Sequence, residues 1–485
     1  MTTTIRLKHA DKLYINGRWD TPASDATIEV ISPHTESAVI SVAEAREADA
    51  EKAVKAARDA FDLGPWPRLS VAERVAYLRK LSAELERRMP EITAAWTEQI
   101  GTPVSFAPFV VGAGKAMFDQ YINMAETFPW EESRALNEGS GTALVAHEPV
   151  GVVVAIAPWN NPFGIMAGKL APALAAGCTV VMKPAPETPI EAYIIAEAVA
   201  AAGLPPGVVN LVTADRDASD HLVGLAGVDK VSFTGSVTAG ARIGSVCGQR
   251  FTRCTLELGG KSAAIVLDDF DTQLAAQILG NSICLSSGQI CASLSRVLIP
   301  ASRHDEFIGA LAEVMSNVKV GSPYDPETQM GPLAMKRQLE KVEEYIALGQ
   351  REGAKLVTGG KRPAHMTRGY YIEPTLFTGV SPEMRIAQEE IFGPVLSVLT
   401  YETEEEAVAL ANSSSFGLYG AVFSHDREAV HRIARAVRTG TVVQSGFRFD
   451  SALPFGGFKS SGIGREGGIE GLKGYTETKS IIFGD

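Results

Sequence analysis

Three residues that could do chemistry each follow an apolar segment of this chain: a cysteine, a glutamate and an asparagine. Cys291 lies in SSGQICAS, Glu257 in TLELGGK and Asn160 in APWNNP. These groups are the parts needed for acyl chemistry: a thiolate attacks a carbonyl, an amide N–H stabilises the oxyanion, and a carboxylate activates the thiol or a water. Each residue also has a purely structural interpretation. Cys291 could be an inert buried thiol, Glu257 the cap of a turn or helix, and Asn160 part of an Asx turn. Spacing alone does not decide between these readings.

The elements that must position these groups alternate between strands and helices. From residue 150 the apolar segments VGVVVAIA, TVVMK, VVNLV and KVSFTG are predicted as buried strands. Helices are predicted between them over about 163–176 and 190–202, with a short third helix and a fourth that starts near Ser236. This order indicates a parallel sheet whose binding crevice lies beyond the carboxyl ends of its strands.

The rest of the chain is predicted as a second α/β unit and smaller additions. Strands are expected at SRVLIP, 353–360, VLSVLTYE and GAVFS within residues 260–460, and a surface helix over 71–89. Residues 128–148 resemble an extended hairpin inserted into a helical region. The last segment, YTETKSIIFGD, is expected to be a strand that pairs outside both cores, for example with another subunit.

Composition narrows the class of protein. The 485 residues are 45% hydrophobic and 21% charged, which is typical of a globular protein and excludes a disordered one. A net charge of −12 argues against nucleic-acid binding, and the longest apolar run, 152–157, is too short to cross a membrane. The first residues lack a secretory signal, and five scattered cysteines do not form a disulfide framework, so a cytoplasmic location is predicted. The histidines never pair at ligand spacing, so no metal is expected. Four of the cysteines are predicted to be structural: Cys178, Cys247, Cys254 and Cys284.

Seven short motifs occur in a fixed order along the chain. They are PWN at 158–160, KPA at 183–185, FTGS at 233–236, ELGGK at 257–261, GQIC at 288–291, EEIFGPV at 389–395 and PFGGFKSSGIGRE at 454–466. This pattern resembles the aldehyde dehydrogenase superfamily, of the NAD(P)-dependent hydrolytic type, from YINGRW at Tyr14 to the final strand. The resemblance implies an α/β fold with a Rossmann-like cofactor domain (1–127 and 148–258) and an α/β catalytic domain (259–459). A small β oligomerisation arm (128–147 and 460–485) would form a homodimer or homotetramer.

The same resemblance implies roles for the three reactive groups. Cys291 would be the nucleophile that forms a thiohemiacetal with the aldehyde. The side-chain amide of Asn160 and the backbone N–H of Cys291 would form the oxyanion hole. After hydride transfer to the nicotinamide, Glu257 would activate the water that hydrolyses the thioester.

The resemblance also implies a cofactor site. Its expected members are Pro158, Trp159, Lys183, Gly235, Ser236, Gly240, Leu258, Gly259, Glu390 and Phe392. The turn with Gly235 and Ser236 would bind pyrophosphate at a helix start, although its spacing differs from the usual dinucleotide fingerprint. Lys183 would bind the adenosine ribose, and Glu390 and Phe392 the nicotinamide ribose and ring. NAD-preferring members often carry an acidic residue where this chain has Pro186, with Glu187 next, so NAD is expected and NADP stays open.

The substrate tunnel is expected to be mostly apolar. Its predicted lining is Asn161, Ile165, Gly168, Leu285, Ile290, Phe449 and Phe455. Leu285 is placed about two helical turns before Cys291, and the small Gly168 is expected to widen the entrance. A medium or bulky apolar aldehyde, aromatic or terpenoid, follows as the predicted substrate. The sequence shows no aromatic cage for a quaternary ammonium group, and 442–445 reads VVQS where the family often has VWVN, which weakens inherited substrate rules.

Four alternatives remain beside this interpretation. Arg448 could anchor the carboxylate of a semialdehyde, or simply face solvent. A CoA-acylating relative typically lacks the base, but Glu257 is present. A catalytically silent scaffold tends to lose the nucleophile, but Cys291 is present. A thiol hydrolase would require a histidine base, and no histidine lies near these motifs.

Overall fold

The fold was obtained as a computed structural model, which describes residues 5–137 and 141–484. Within these residues no helix is long and apolar enough to cross a membrane. The α-helices are α1 (Glu47–Asp62), α2 (Val71–Arg87), α3 (Met89–Ile100), α4 (Ala107–Thr127), α5 (Pro162–Ala176), α6 (Ile190–Ala202), α7 (Arg216–Gly224), α8 (Val237–Arg250), α9 (Thr272–Ser282), α10 (His304–Ser316), α11 (Lys336–Arg351), α12 (Arg385–Gln388), α13 (Glu404–Asn412), α14 (Arg427–Ala436) and α15 (Gly468–Lys473).

The first large sheet has eight strands in the order β19-β11-β10-β7-β8-β9-β1-β2. Their bounds are β1 (Leu13–Ile15), β2 (Arg18–Asp20), β7 (Val152–Ile156), β8 (Thr179–Lys183), β9 (Val209–Leu211), β10 (Lys230–Thr234), β11 (Arg253–Glu257) and β19 (Gly462–Ile463). The strands from β11 to β9 are parallel, and β7, β8 and β10 are buried along their whole length, because helices cover the sheet. The predicted parallel sheet of alternating strands and helices is confirmed.

The second large sheet has seven strands in the order β14-β15-β16-β13-β12-β17-β18. They are β12 (Ala263–Val266), β13 (Arg296–Pro300), β14 (Lys355–Thr358), β15 (Thr375–Thr378), β16 (Val395–Tyr401), β17 (Tyr419–Phe423) and β18 (Thr441–Gln444). All pairs are parallel except the β14–β15 edge. The four strands predicted in this region correspond to β13, β14, β16 and β17.

Two small antiparallel sheets complete the fold. One pairs β3 (Thr27–Ile31) with β4 (Ala38–Ala43), and the other has the order β20-β6-β5, with β5 (Glu131–Ala135), β6 (Thr142–Pro149) and β20 (Thr476–Phe483). The expected hairpin is therefore present, and the last strand lies outside both large sheets as predicted, but its partner strand belongs to the same chain rather than to another subunit. β20 pairs with β6 of its own chain along eight residue pairs, because β6 offers it a free edge. The segment 460–485 is also divided, since β19 joins the eight-stranded sheet.

Around the predicted reactive groups, the carboxyl ends of the strands in the first large sheet face the amino ends of the strands in the second. Asn160 follows β7 and Glu257 ends β11, so both lie at the carboxyl edge of the eight-stranded sheet. Cys291 precedes β13 and Glu390 precedes β16, so both lie at the amino edge of the seven-stranded sheet. The crevice beyond the first sheet's carboxyl edge is thus closed by the second sheet.

Candidate functional site

The segment that carries Cys291 is irregular. Helix α9 ends at Ser282, and the short 3-10 turn Leu285–Gly288 contains left-handed backbone at Ser286 (φ 46°) and Ser287 (φ 56°). The expectation that Leu285 and Cys291 share a helix is therefore wrong. Left-handed residues cannot continue an α-helix, so Leu285 has no helical relation to the thiol. The tight turn instead directs the chain back towards β13.

Asn160 lies against this segment. Its Nδ2 donates to the backbone oxygen of Gln289 at 2.8 Å, two residues before Cys291. One amide hydrogen thus fixes the side chain beside the thiol, and the second stays available for an oxyanion. The neighbouring Asn161 caps α5, because its Oδ1 accepts from the N–H of Gly164 at 3.1 Å.

Glu257 is a deeply buried carboxylate. The residue is 3% exposed, and neither oxygen has a hydrogen-bond partner among the described residues. Burial, then the negative charge of Glu466, raises the pKa of Glu257 well above its usual range, while Lys169 and Arg465 act in the opposite direction. A Cβ on Gly456 would lie 2.7 Å from Glu257 Oε1, so only glycine leaves room there. Such a carboxyl holds a proton until a stronger interaction removes it.

A buried ion pair beside Glu257 was not found from the sequence. Lys169 Nζ lies 2.5 Å from Glu466 Oε1, and the lysine side chain is wholly buried. Lys169 also donates to Ser232 Oγ at 3.2 Å, and Tyr475 OH donates to the same oxygen at 3.1 Å. The signal was available, because Lys169 is the only charged residue of the otherwise apolar α5.

The Cys291 thiol is protonated at neutral pH. Burial, followed by the negative charges of Glu390 and Glu257, raises its pKa to about 12. Backbone N–H groups of Cys291 and Ala292 act in the opposite direction. Glu257 thus lies close enough for its charge to act on the pKa of this thiol.

The expected nicotinamide side of the site is also assembled. The N–H of Gly260 donates to Glu390 Oε1 at 3.0 Å, and a Cβ on Gly259 would lie 2.5 Å from Glu390 Oε2. The Trp159 and Phe392 rings meet edge to face, with centroids 5.2 Å apart. Pro158 precedes this tryptophan and is half-buried. A flat ring and a ribose hydroxyl are what such aromatic and carboxylate groups hold.

The expected pyrophosphate turn opens α8. Ser236 caps this helix by accepting from the N–H of Ala239 at 3.2 Å. The other N–H groups of the first turn have no intrahelical acceptor and can bind an anion. A Cβ on Gly240 would collide with the side chain of Leu258, which fixes close packing of helix against strand end. Gly235 is half-buried at the turn itself. These residues fit a dinucleotide phosphate.

Lys183 ends β8 at the bottom of the expected adenosine site. Burial lowers its pKa to about 8, and the negative charges of Glu187 and Asp215 raise it. Glu187 also forms an ion pair with Arg337. Two carboxylates therefore lie near Lys183, and one of them is already held by an arginine.

Aromatic rings gather on the loop that follows β18. Phe449 and Phe455, both predicted pocket residues, have centroids 5.7 Å apart. Sequence reasoning missed Phe447 and Tyr419, whose rings lie 5.2 and 5.4 Å from that of Phe449. Ile290, beside the nucleophile, packs against the same core as Phe447 and Phe455. These rings pack on one another in one cluster, and the Phe-x-Phe spacing at 447–449 was its signal in the sequence.

The space beside Gly168 is filled by another helix. A Cβ on Gly168 would lie 3.1 Å from Cε and 3.2 Å from Sδ of Met117, which belongs to α4. Helices α4 and α5 approach this closely because Gly114 packs on Gly164. The expectation that Gly168 widens the entrance therefore needs correction, since a thioether occupies the room. Ile165, one turn earlier on α5, is half-buried.

The structure also shows the surroundings of Arg448 and of two cysteines. Arg448 is exposed, and its backbone N–H and carbonyl both bond to Tyr419 OH, at 3.0 and 2.8 Å. Cys254 and Cys247 hydrogen-bond to each other, which lowers the pKa of Cys254 to about 6. These two thiols were predicted to be structural, and the turn after α8 brings them together.

Comparisons with known proteins agree with this geometry. The model of the aldehyde dehydrogenase family matches residues 19–481. Geranial dehydrogenase of Castellaniella defragrans is 44% identical over 476 residues, covering 97% of this chain and 98% of that protein. The structure of an aldehyde dehydrogenase from Mycobacterium tuberculosis complexed with NAD+ has a TM-score of 0.94 at 41% identity, covering 98% of each chain. Betaine aldehyde dehydrogenase from Staphylococcus aureus in complex with NAD+ has a TM-score of 0.96 at 35% identity, covering 98% of this chain and 95% of that one. This chain therefore belongs to the aldehyde dehydrogenase family, and it is an oxidoreductase that acts on aldehydes.

Proposed function

We propose that this enzyme oxidises a medium or bulky apolar aldehyde to its carboxylic acid, with NAD as the electron acceptor. The observation that carries the proposal is the convergence of Cys291, Asn160 and Glu257. Asn160 is hydrogen-bonded to the segment of the thiol, and the charge of Glu257 acts directly on the pKa of Cys291. The base of a hydrolytic enzyme is thus present, which disfavours a CoA-acylating or silent member of the fold.

The chain's own residues can carry the covalent steps. The Cys291 thiol gives up its proton to water, and the sulfur attacks the aldehyde carbon to form a thiohemiacetal. The free amide hydrogen of Asn160 and the N–H of Cys291 hold the oxygen that becomes negative. NAD, when bound, supplies the acceptor for the hydride. Glu257 then takes a proton from the water that attacks the thioester and passes it to the sulfur of Cys291, which leaves as the thiol.

NAD is favoured over NADP by the charges near Lys183. The carboxylates of Glu187 and Asp215 would repel a 2′-phosphate, whereas a ribose hydroxyl can donate to a carboxylate. NAD+ is also present in the neighbouring structures from M. tuberculosis and S. aureus. Glu187→Gln is expected to leave turnover with NAD nearly unchanged and to raise kcat/KM with NADP. Equal kcat/KM for both cofactors in the wild type would refute this preference.

A terpenoid or aromatic substrate is supported by two features. The rings of Phe447, Phe449 and Phe455 give the predicted tunnel an apolar wall, and the relative from C. defragrans is a geranial dehydrogenase. Met117 is unbranched and flexible, so it can yield to a broad substrate or fill the gap beside a slim one. The exposed side chain of Arg448 gives a semialdehyde no buried anchor.

The test is reduced-cofactor formation on a panel of aldehydes. The panel contains short and long aliphatic, aromatic, terpenoid, semialdehyde and quaternary-ammonium members, each with NAD and NADP. Met117→Ala is expected to raise kcat/KM for the broadest apolar members most, whereas Met117→Leu, which is similar in volume but stiffer, is expected to lower it for them. If kcat/KM were highest for the quaternary-ammonium aldehyde, the rings around Phe449 would instead bind a cation. If it were highest for a semialdehyde, Arg448 would belong to the substrate site. No turnover after Cys291→Ser, with retained NAD binding, is expected.

Assembly and location remain proposals as well. We infer a homodimer or homotetramer in which the β20-β6-β5 sheet forms the contact, with the domain limits given above except that β19 belongs to the eight-stranded sheet. Ile482 and Phe483, at the end of β20, are 68% and 48% exposed, which suits a covered surface. Light scattering of the wild type and of Ile482→Lys tests this, and an unchanged mass would oppose the assignment. The five free thiols agree with a cytoplasmic location.

A further inference from the structure

The loop that follows β18 is tied to the sheet by one side chain. Residues 445–454 of the described chain are irregular. At one end of this loop the N–H of Ser445 donates to a carbonyl of β17 at 2.9 Å, and near the other end Ser451 donates its hydroxyl to α4. Between these anchors, residues 446–450 have hydrogen bonds to the rest of the described chain only through the hydroxyl of Tyr419.

The Tyr419 hydroxyl binds both backbone groups of Arg448. It accepts from the N–H at 3.0 Å and donates to the carbonyl oxygen at 2.8 Å. A phenol can do both at once, because its oxygen carries a hydrogen and free lone pairs. Burial raises the pKa of Tyr419 to about 12, and the N–H and then the charge of Arg448 act in the opposite direction. The hydroxyl therefore keeps its proton at neutral pH, which the donated bond requires.

Tyr419 gives this loop a rigid support. It is the first residue of β17, which lies between β12 and β18 in the seven-stranded sheet, and it is 2% exposed. The loop itself is less well packed, since Phe449 is 54% exposed. A half-exposed ring on an irregular loop has few contacts of its own, so its position depends on where the backbone beside it is held.

The residues on either side of Arg448 are both phenylalanines. The ring of Tyr419 lies 5.4 Å from the ring of Phe447 and 5.4 Å from that of Phe449. The two phenylalanine rings meet nearly at right angles, 5.2 Å apart, and Phe449 also contacts Phe455. Because the hydroxyl fixes the backbone between the two phenylalanines, it fixes the direction of both rings.

The reacting groups do not depend on this hydroxyl. Phe455 exchanges two backbone hydrogen bonds with Glu466, at 2.6 and 2.8 Å, and it precedes the glycine that lies against Glu257. Asn160 is bonded to the segment of the nucleophile. Loss of the Tyr419 hydroxyl is therefore expected to release the outer rings and to leave the base and the nucleophile in place.

We propose that Tyr419 is a positioning residue for substrate selection: its hydroxyl holds the loop at Arg448 so that Phe447 and Phe449 form a fixed wall for a bulky apolar aldehyde. This role rests on the proposed function, which makes these rings part of the substrate tunnel. A bulky aldehyde gains apolar contact from a wall that is already in place, whereas a short aldehyde has little apolar surface to bury. The hydroxyl thus raises selectivity rather than the rate of the chemical steps.

The first experiment compares steady-state kinetics of Tyr419→Phe, which loses the hydroxyl and keeps the ring. For a terpenoid or aromatic aldehyde we expect KM to rise about tenfold and kcat to change by less than about twofold, as for two lost tethering hydrogen bonds. For propanal, kcat/KM should stay within about twofold of the wild type. Tyr401→Phe is the matched control, because the buried Tyr401 also donates its hydroxyl to a backbone carbonyl of the same sheet, at 2.6 Å. It should lower Tm to a similar extent without changing either KM.

The second experiment measures the anchor without any substrate. Trypsin cleaves after arginine, and the carbonyl of the bond after Arg448 is the one that accepts from Tyr419. Cleavage of the folded full-length enzyme at this bond, followed by peptide mass spectrometry, should be about fivefold faster in Tyr419→Phe, because the loop opens more often. Tyr401→Phe should be cleaved there at the wild-type rate. Equal cleavage in Tyr419→Phe and the wild type would overturn the anchor.

A double variant tests whether the hydroxyl acts through the ring that it positions. In a Phe449→Ala background, Tyr419→Phe should lower kcat/KM for the bulky aldehyde by less than about twofold more. Fully additive losses, or equal losses for propanal and the bulky aldehyde, would overturn the positioning role. A wild type that does not prefer bulky apolar aldehydes would refute the proposed function and with it the role in selection, and faster cleavage at Arg448 would distinguish that result from a failed anchor.

Discussion

Without cofactor or substrate, Cys291 is expected to be alkylated more slowly than an ordinary free cysteine. With a pKa of about 12, only about one thiol in 10⁵ is ionised at pH 7, against roughly 3% for an ordinary cysteine of pKa about 8.5. The thiolate population is therefore about 3,000-fold smaller. A more basic thiolate is also more nucleophilic, and a Brønsted slope of about 0.45 over ~3.5 pKa units returns a factor of about 40. The net expectation is alkylation roughly 100-fold slower than for a free thiol.

The assay follows iodoacetamide labelling of each cysteine by peptide mass spectrometry between pH 6 and 10. The rate at Cys291 is expected to rise tenfold per pH unit throughout this range, without a plateau. Glu390→Gln removes the first of the charges that raise the thiol pKa and is expected to speed the reaction. A rate that levels off near pH 7, or a Glu390→Gln variant that labels no faster, would refute the reasoning.

Two other cysteines of the same chain serve as internal standards. Cys254 is half-buried with a pKa lowered to about 6 by the hydrogen bond from Cys247, so it should label first. Burial alone raises the pKa of Cys284 to about 12. Its rate should therefore not respond to Glu390→Gln, which separates an electrostatic effect on Cys291 from a general loosening of the fold.

Further predictions concern the buried carboxyl groups. Glu257→Gln should give a burst of reduced cofactor followed by stalled turnover, because acylation survives and thioester hydrolysis slows; a wild-type steady state in a stopped-flow trace would contradict the role of the base. Lys169→Met removes a charge that lowers the pKa of Glu257, so half-maximal hydrolysis should move to higher pH, and an unchanged pH profile would oppose the coupling. Burial raises the pKa of Glu191 from 4.5 to about 8. The raised pKa contributes at most about 5 kcal/mol to the free energy of unfolding. This contribution is fully present below about pH 4.5 and is lost as the pH rises through about 8. Tm of Glu191→Gln should therefore fall less than wild type from pH 6 to 9, and parallel curves would refute this.

The order of elements could be predicted because burial leaves a strong pattern in sequence. Strands β7, β8 and β10 are continuous apolar runs, and the bounds predicted for α6 are those of the structure. The helix predicted over 71–89 ends at Arg87, and α3 begins at Met89, because Pro90 starts a new helix rather than extending the old one. Local pattern thus decides where elements lie, and single residues decide where they end.

The three-dimensional partners of the site residues could not be read in the same way. Lys169 and Glu466 are 297 positions apart, and Gly168 and Met117 lie on different helices. Nothing in the sequence near Gly168 indicates that a thioether from α4 fills its place. The prediction of a wide entrance failed because a missing side chain leaves space only if no neighbour takes it.

The reactive groups could be recognised one by one but not as a site, because they come from the strand ends of two different sheets. Each group follows or precedes a buried strand, where the chain leaves the sheet and side chains can face a crevice. Glu257 and Asn160 belong to the carboxyl edge of one sheet, whereas Cys291 and Glu390 belong to the amino edge of the other. A nucleophile at an amino edge is outside the rule that locates ligands beyond carboxyl edges. The base Glu257 and the amide of Asn160 come to Cys291 from the first sheet. The chemistry therefore requires both sheets.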